Sequence, residues 1–171
     1  MSRALHSMLL LAAIGIWSAE RAPALAEGGD PAALAAAMKD ATATLQGGLK
    51  ASEREGTPIS AKFEIEHGKL QLSVYTLKAD AFTEVVADPK TGAIAKAEKV
   101  TDADDLKAAA TQKAAMAQAK IPLLTATETA VKNNAGFQAV SIYPELKGGQ
   151  PTAEVTLVRG TTFKKVTEKL D

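Results

Sequence analysis

The chain has 171 residues, with 20 basic and 20 acidic side chains and no cysteine. A formal net charge of zero provides no field with which to collect nucleic acid. The absence of cysteine excludes thiol redox chemistry, cysteine nucleophiles and Cys-ligated zinc.

The first predicted element is a secretory signal. Arg3 precedes an unbroken apolar run at 8–17, which as a helix is about 15 Å long and too short to span a bilayer. The small-x-small tripeptide at 24–26 is typical of a cleavage site. We therefore expect residues 1–26 to be a cleavable signal peptide. The working protein is expected to be periplasmic or secreted, with no stable membrane span after cleavage.

Catalytic motifs are absent from the sequence. Cleavage would leave His67 as the single histidine, which excludes a site with two histidine ligands. His67 lies in a predicted turn between Glu66 and Gly68, where solvent should reach it. No nucleophile elbow, phosphate loop, dinucleotide fingerprint or His-Glu-x-x-His motif occurs. We predict a protein that is not an enzyme and holds no cofactor, with catalysis through His67 as a distant alternative.

The first half of the mature chain, 27–100, is predicted as a helix followed by an antiparallel meander. An Ala-rich helix begins after Asp30, and apolar and polar residues then alternate with a period of two. Short turns connect the alternating runs, so neighbouring strands should pair antiparallel. The predicted elements are a helix at 31–54 and strands at 61–66, 70–75, 82–87 and 93–100.

The second half, 101–171, follows the same order. Its helices are predicted at 101–120 and 125–133, and its strands near 137–143, 155–157 and 163–166. The predicted fold class is therefore α+β. We expect two tandem units, each a helix packed on a three- to four-stranded antiparallel meander, and a protein that is monomeric or weakly dimeric.

An internal repeat supports the division into two units. Gly56 of the first half is matched by Gly136, and three larger apolar residues recur 81 positions later. These pairs are Val74 with Val155, Phe82 with Phe163, and Val85 with Val166. The second copy ends before any equivalent of the turn at 88–92 and of the fourth strand.

The residues at 82–94, Phe-Thr-Glu-Val-Val-Ala-Asp-Pro-Lys-Thr-Gly-Ala-Ile, follow a helix, a glycine and two alternating strands. This succession resembles the PepSY domain. That family closes its meander with an apolar-Asp-x-x-Thr-Gly turn, which Asp88, Thr91 and Gly92 carry here. The resemblance covers about 44–100 and, without that turn, about 122–170.

The resemblance implies a small exported or membrane-associated α+β module without catalytic residues. Similar domains occur in propeptides of thermolysin-type metalloproteases. The function that follows is a non-catalytic periplasmic or secreted binding module that modulates or inhibits an extracytoplasmic protease. Its partner would be an extracytoplasmic protein or peptide whose identity the sequence does not give.

The missing fourth strand of the second unit predicts an open sheet edge. Residues 163–167 should leave backbone pairing groups to which an extended peptide can add. The alternative is that the first unit or the N-terminal helix covers this edge.

An acidic cluster gives an alternative function. Asp102, Asp104 and Asp105 are close in sequence, and Asp88 could approach them across the last hairpin. Converging carboxylates bind hard cations, so this set predicts a periplasmic binder of calcium or a lanthanide ion. The competing interpretation is that acidic residues favour a helix N-terminus. The spacing does not fit an EF-hand loop, because no glycine follows at the sixth position.

Overall fold

The structure, a computed structural model, describes residues 30–171, so the predicted signal peptide lies outside the described residues. Within this range no helix has both the length and the hydropathy needed to cross a bilayer. The helices are α1 Pro31–Ala37, which a short 3-10 turn Met38–Asp40 extends, α2 Leu45–Ser52, α3 Ala103–Met116 and α4 Leu123–Asn133. The strands are β1 Thr57–Glu66, β2 Lys69–Lys78, β3 Ala81–Ala87, β4 Ile94–Lys99, β5 Gln138–Lys147, β6 Gln150–Arg159 and β7 Thr162–Lys169.

All seven strands belong to one antiparallel sheet, with the order β4-β3-β2-β1-β5-β6-β7. Consecutive strands are paired neighbours except at the centre, where β1 of the first half lies beside β5 of the second. Ala61 is opposite Ile142 there, and Lys62 is opposite Ser141. The predicted α+β class is confirmed. The two halves share a single sheet, and their division into two tandem units stays a prediction.

One face of the sheet carries the hydrophobic core. Helices α1, α2 and α4 contribute to it, and α2 contacts α4 directly. Helix α2 approaches the sheet closely at Gly48, where an added Cβ would lie 2.4 Å from Cδ2 of Leu72. The largest strand residues in this core are fully buried: Phe63, Leu72, Ile142 and Leu157.

Helix α3 packs on the opposite face of the sheet. It contacts β1, β5 and β6, and it buries Ala109 and Ala115. On the face that α3 covers, several buried side chains are small and polar, whereas those on the core face are mostly aliphatic or aromatic. Alanines of α3 are small enough to pack against them. The small polar residues buried on this face are Ser60, Ser73, Ser141, Thr152 and Thr156.

Candidate functional site

The outermost strand on the second half is β7, which pairs with β6 from Thr162 opposite Arg159 to Lys169 opposite Thr152. In the described chain, no backbone hydrogen bond from another segment reaches residues 162–169 on the side away from β6. Among residues 30–171, β7 is an edge strand, as predicted for 163–167.

The hairpin geometry decides which backbone groups of β7 face outward. Arg159 and Thr162 flank a two-residue turn, and such flanking residues exchange both of their backbone hydrogen bonds. Hydrogen-bonded and non-hydrogen-bonded pairs then alternate along an antiparallel ladder. The N–H and C=O groups of Phe163, Lys165 and Thr167 therefore point away from β6.

The matching hairpin in the first half follows the same geometry. Lys78 and Ala81 flank the two-residue turn between β2 and β3. The next residue, Phe82, accepts a hydrogen bond of 3.0 Å at its carbonyl oxygen from the N–H of Val100, on the side away from β2. Phe82 is equivalent to Phe163 of β7, and its outward carbonyl group is hydrogen-bonded to the next segment of the chain.

The exposed edge of β7 is basic. Its lysines are Lys164, Lys165 and Lys169. Nζ of Lys165 lies 2.6 Å from Oε1 of Glu154, and Nζ of Lys164 donates to Oδ1 of Asn134 at 2.6 Å. Burial raises the pKa of Glu168, the one acidic residue of the strand. With three lysines and one glutamate, the strand carries an excess of positive charge.

One of the predicted cation ligands at the start of α3, Asp102, caps the helix. Oδ1 of Asp102 accepts hydrogen bonds from the N–H groups of Asp104 at 2.9 Å and Asp105 at 3.1 Å. This is the N-cap of α3. Among residues 30–171, no group of three or more histidine, aspartate or glutamate side chains is placed to hold a metal ion. The hard-cation function stays an untested prediction.

Asp88, the fourth predicted ligand, closes the turn that carries the family resemblance. Its Oδ1 accepts from the N–H of Lys90 at 3.0 Å, the N–H of Thr91 at 2.7 Å and the hydroxyl of Thr91 at 2.9 Å. The hydrogen bonds from Thr91 are the largest cause that holds the pKa of Asp88 below its usual value. The carboxylate is therefore engaged in shaping the turn.

The same turn is hydrogen-bonded to the segment that leads into α2. The carbonyl oxygen of Pro89 accepts from the N–H groups of Thr42 at 3.1 Å and Ala43 at 3.0 Å. The hydroxyl of Thr42 donates to the carbonyl oxygen of Lys90. The Asp-x-x-Thr-Gly turn thus has a structural role, because it joins the end of the meander to the helical layer.

His67 is a solvent-exposed turn residue. Its side chain is 91% exposed, and its Nε2 lies 3.8 Å from Oε1 of Glu66. Its backbone adopts a φ of 49°, in the left-handed region that a tight turn between two strands requires. Nothing excludes water from the imidazole.

A cavity of about 520 Å³ lies where α2 ends, α4 begins and the turn between β2 and β3 comes close. That volume is typical of small-molecule sites. Glu53, Arg54 and Lys78 line it together with apolar side chains. The larger of these are Leu49, Leu77, Met116, Leu123 and Leu124. Sequence reasoning missed this cavity because its walls come from separate segments of both halves and carry no shared motif.

A second polar area lies on the sheet face that carries α3. Nζ of Lys62 is 2.7 Å from Oε2 of Glu64 and 5.9 Å from the ring centre of Tyr75. Burial is the largest cause that raises the pKa values of Tyr75 and Glu84. In this area the charges of Lys62 and Glu64 are paired with each other.

Comparison with known proteins adds little. No family model matches the chain, and no curated protein matches it. Among solved structures, a Clostridium difficile 630 protein described as a putative lipoprotein is 15% identical, with a TM-score of 0.38. The match covers 71% of this chain and 80% of that chain. A TM-score this low gives no basis for assigning a function, and the PepSY resemblance stays a prediction from the residues.

Proposed function

We propose that the mature chain is a non-catalytic, extracytoplasmic binding protein that accepts an extended segment of a partner protein as an added strand beside β7. The observation that carries this proposal is the open edge of β7, with Phe163, Lys165 and Thr167 presenting backbone groups outward. Main-chain hydrogen bonds supply affinity in this mode of recognition, and side chains supply selectivity.

The proposal is supported by an inferred duplication of the two halves. The sheet order is symmetric about the β1–β5 pair, with β2 and β3 on one side and β6 and β7 on the other. The ladders shift register between Pro58 and Ser60 on β1 and between Ala139 and Ser141 on β5. Each position on β5 follows its β1 counterpart by 81, as do the apolar residues of the repeat. Two β-bulges at matching positions favour a common origin of the halves.

In this duplication β7 corresponds to β3. The outer side of β3 is occupied by β4, whereas β7 has no strand beside it among residues 30–171. A partner strand beside β7 would complete the second unit as β4 completes the first.

The PepSY resemblance supports the class of partner. It implies an extracytoplasmic protein, with modulation of a protease as the particular role. A signal peptide at 1–26, which stays a prediction, would bring the protein to the compartment of such a partner.

A proline substitution tests the proposal. Thr167→Pro removes an outward N–H without removing a bond to β6, and proline is tolerated at such an edge position. Ala97→Pro on β4 is the matched control. Ala97 is opposite Val85, and these two residues form a pair without mutual hydrogen bonds, so the N–H of Ala97 points away from β3. The mature variants are used to capture partners from periplasmic extract, and their melting curves report folding.

The expected result is that the wild type and Ala97→Pro recover the same partner, while folded Thr167→Pro does not. Equal recovery by all three proteins would contradict strand addition at β7.

A further inference from the structure

The pairing of β3 with β4 defines the position of a strand added beside β7. In the first half, Thr83 is opposite Lys99, Glu84 is opposite Glu98, and Val85 is opposite Ala97. The residues of β3 whose backbone groups point to the outer side have counterparts on β7, 81 positions later, whose backbone groups point to the same side, as Phe82 and Phe163 do. A strand added beside β7 can therefore pair in the antiparallel register that β4 adopts beside β3.

The residues that face the added strand differ in charge between the two halves. Shifted by 81 positions, Thr83, Glu84 and Val85 become Lys164, Lys165 and Val166. The apolar position is kept, while a hydroxyl and a carboxylate are replaced by two ammonium groups. A copy of the β4 sequence would place Glu98 opposite Lys165, which is a favourable pair, but Lys99 opposite Lys164. Like charges directly opposite each other destabilise a strand pair, so an acidic residue is favoured at both positions.

We propose that the segment bound beside β7 is acidic, with carboxylates opposite Lys164 and Lys165 and a small apolar residue opposite Val166. Read from its N-terminus, the segment carries a small apolar residue followed by two acidic ones. This inference rests on the proposed strand addition at β7 and specifies the chemistry of the partner.

The internal contacts of the two lysines leave them able to accept this partner. Lys165 already lies 2.6 Å from Glu154, and Lys164 donates to Asn134. Each ammonium group has three N–H donors, so one internal acceptor leaves donors for a second carboxylate. Lys165 is partly buried, which reduces screening by solvent.

Synthetic peptides of about ten residues, a usual strand length, test the inference. The acidic peptide has Ile-Ala-Lys-Ala-Glu-Glu at its centre, and the basic peptide has Ile-Ala-Lys-Ala-Lys-Lys there. Binding of each labelled peptide to the mature protein is measured by fluorescence anisotropy at low and high salt. We expect the acidic peptide to bind roughly three- to thirtyfold more tightly than the basic one, with the difference shrinking at high salt.

Two charge variants make the test reciprocal. In Lys164→Glu combined with Lys165→Glu, the preference should invert toward the basic peptide. Because Lys165→Glu places a second carboxylate beside Glu154, Lys164→Glu alone is the second variant, and it should reduce the preference several-fold. Asn134, the contact of Lys164, is neutral, so folding is not at risk from repulsion there.

The outcomes separate this inference from the proposed function. Equal binding of both peptides that is lost in Thr167→Pro overturns the acidic segment and leaves strand addition standing. A charge preference that survives Thr167→Pro overturns strand addition and the inference together. A wild-type dimer that Thr167→Pro converts to a monomer in analytical ultracentrifugation assigns the edge to a second copy and overturns the inference.

Discussion

Oγ of Ser60 on β1 donates a hydrogen bond of 2.8 Å to Oε1 of Gln112 on α3. This bond joins the polar face of the sheet to the helix that covers it. The buried hydroxyl of Ser141, on the same face, has no hydrogen-bond partner within the described protein. Two serines of similar burial on neighbouring strands thus differ in whether their hydroxyl groups are hydrogen-bonded.

We expect different effects on the free energy of unfolding when each serine is replaced by alanine. Ser60→Ala leaves the Gln112 oxygen without its donor and should lower the free energy of unfolding by about 1–2 kcal/mol. Ser141→Ala removes an unpartnered buried hydroxyl and should leave that free energy unchanged or raise it. Urea denaturation measures both. A loss for Ser141→Ala as large as that for Ser60→Ala would contradict this account.

The close approach of α2 to the sheet makes Gly48 intolerant of a side chain. Gly48→Ala would place its Cβ 2.4 Å from Cδ2 of Leu72, a fully buried residue. We expect a loss of about 1–3 kcal/mol from overpacking. Gly47→Ala is the control, because its Cβ would meet Oγ1 of exposed Thr44 at 3.2 Å, and it should stay within about 1 kcal/mol of the wild type. Similar losses of stability in both variants would indicate a general effect on helix α2 and would contradict a specific clash with Leu72.

Two carboxyl groups should contribute to pH-dependent stability with opposite signs. Burial, with a smaller effect of the charges of Glu64 and Glu66, raises the pKa of Glu84, so ionising Glu84 destabilises the fold. That destabilisation is absent below the unfolded pKa of about 4.3 and complete above the raised folded pKa. We therefore expect Glu84→Gln to be more stable than the wild type at pH 7 and equal to it near pH 3, in denaturation measured across pH.

Ionisation of Asp88 should stabilise the fold, in contrast to ionisation of Glu84. Its hydrogen bonds with Thr91 lower its pKa, so its contribution to stability is present above the unfolded pKa of about 3.9 and lost as pH falls through the folded pKa. Asp88→Asn should therefore be less stable than the wild type at pH 7, and the difference should shrink in acid. A difference between the two proteins that does not change with pH would contradict the assignment.

Asp102 should act as a helix cap. Asp102→Ala removes the acceptor for the N–H groups of Asp104 and Asp105 and should cost about 1 kcal/mol, whereas Asp102→Asn should retain most of that stability. Thermal melts of both variants, with chelator and with Ca²⁺, measure this effect. Stabilisation of the wild type by Ca²⁺ that the asparagine variant loses would instead support the hard-cation function.

The period-two pattern predicted the inner strands because one face of these strands is deeply buried, whereas the edge strands β4 and β7 have no buried residue. Phe63, Leu72 and Val74 lie on that face, and their polar neighbours lie on the other. The pattern placed the start of β1 too late. A register shift between Pro58 and Ser60 lets Ile59 and Ser60 both be buried, which breaks the alternation.

The location of α3 could not be predicted from its sequence. Two of its fourteen residues, Ala109 and Ala115, are buried, so most of its alanines face solvent and no apolar stripe marks a packing face. The open edge of β7 was predictable because it follows from strand count and hairpin order. The cavity beside Leu123 was not, since it depends on the tertiary arrangement of segments distant in sequence.

The central β1–β5 pair has a consequence for the order of folding. Ala61 and Ile142 are opposite each other but 81 positions apart in sequence, whereas every other neighbouring pair of strands is consecutive along the chain. Closing so long a loop costs more conformational entropy than forming a hairpin, and contacts of this kind slow folding. The hairpins of each half can therefore form early and independently. We therefore expect the joining of the halves along β1 and β5 to limit the rate at which the single sheet forms.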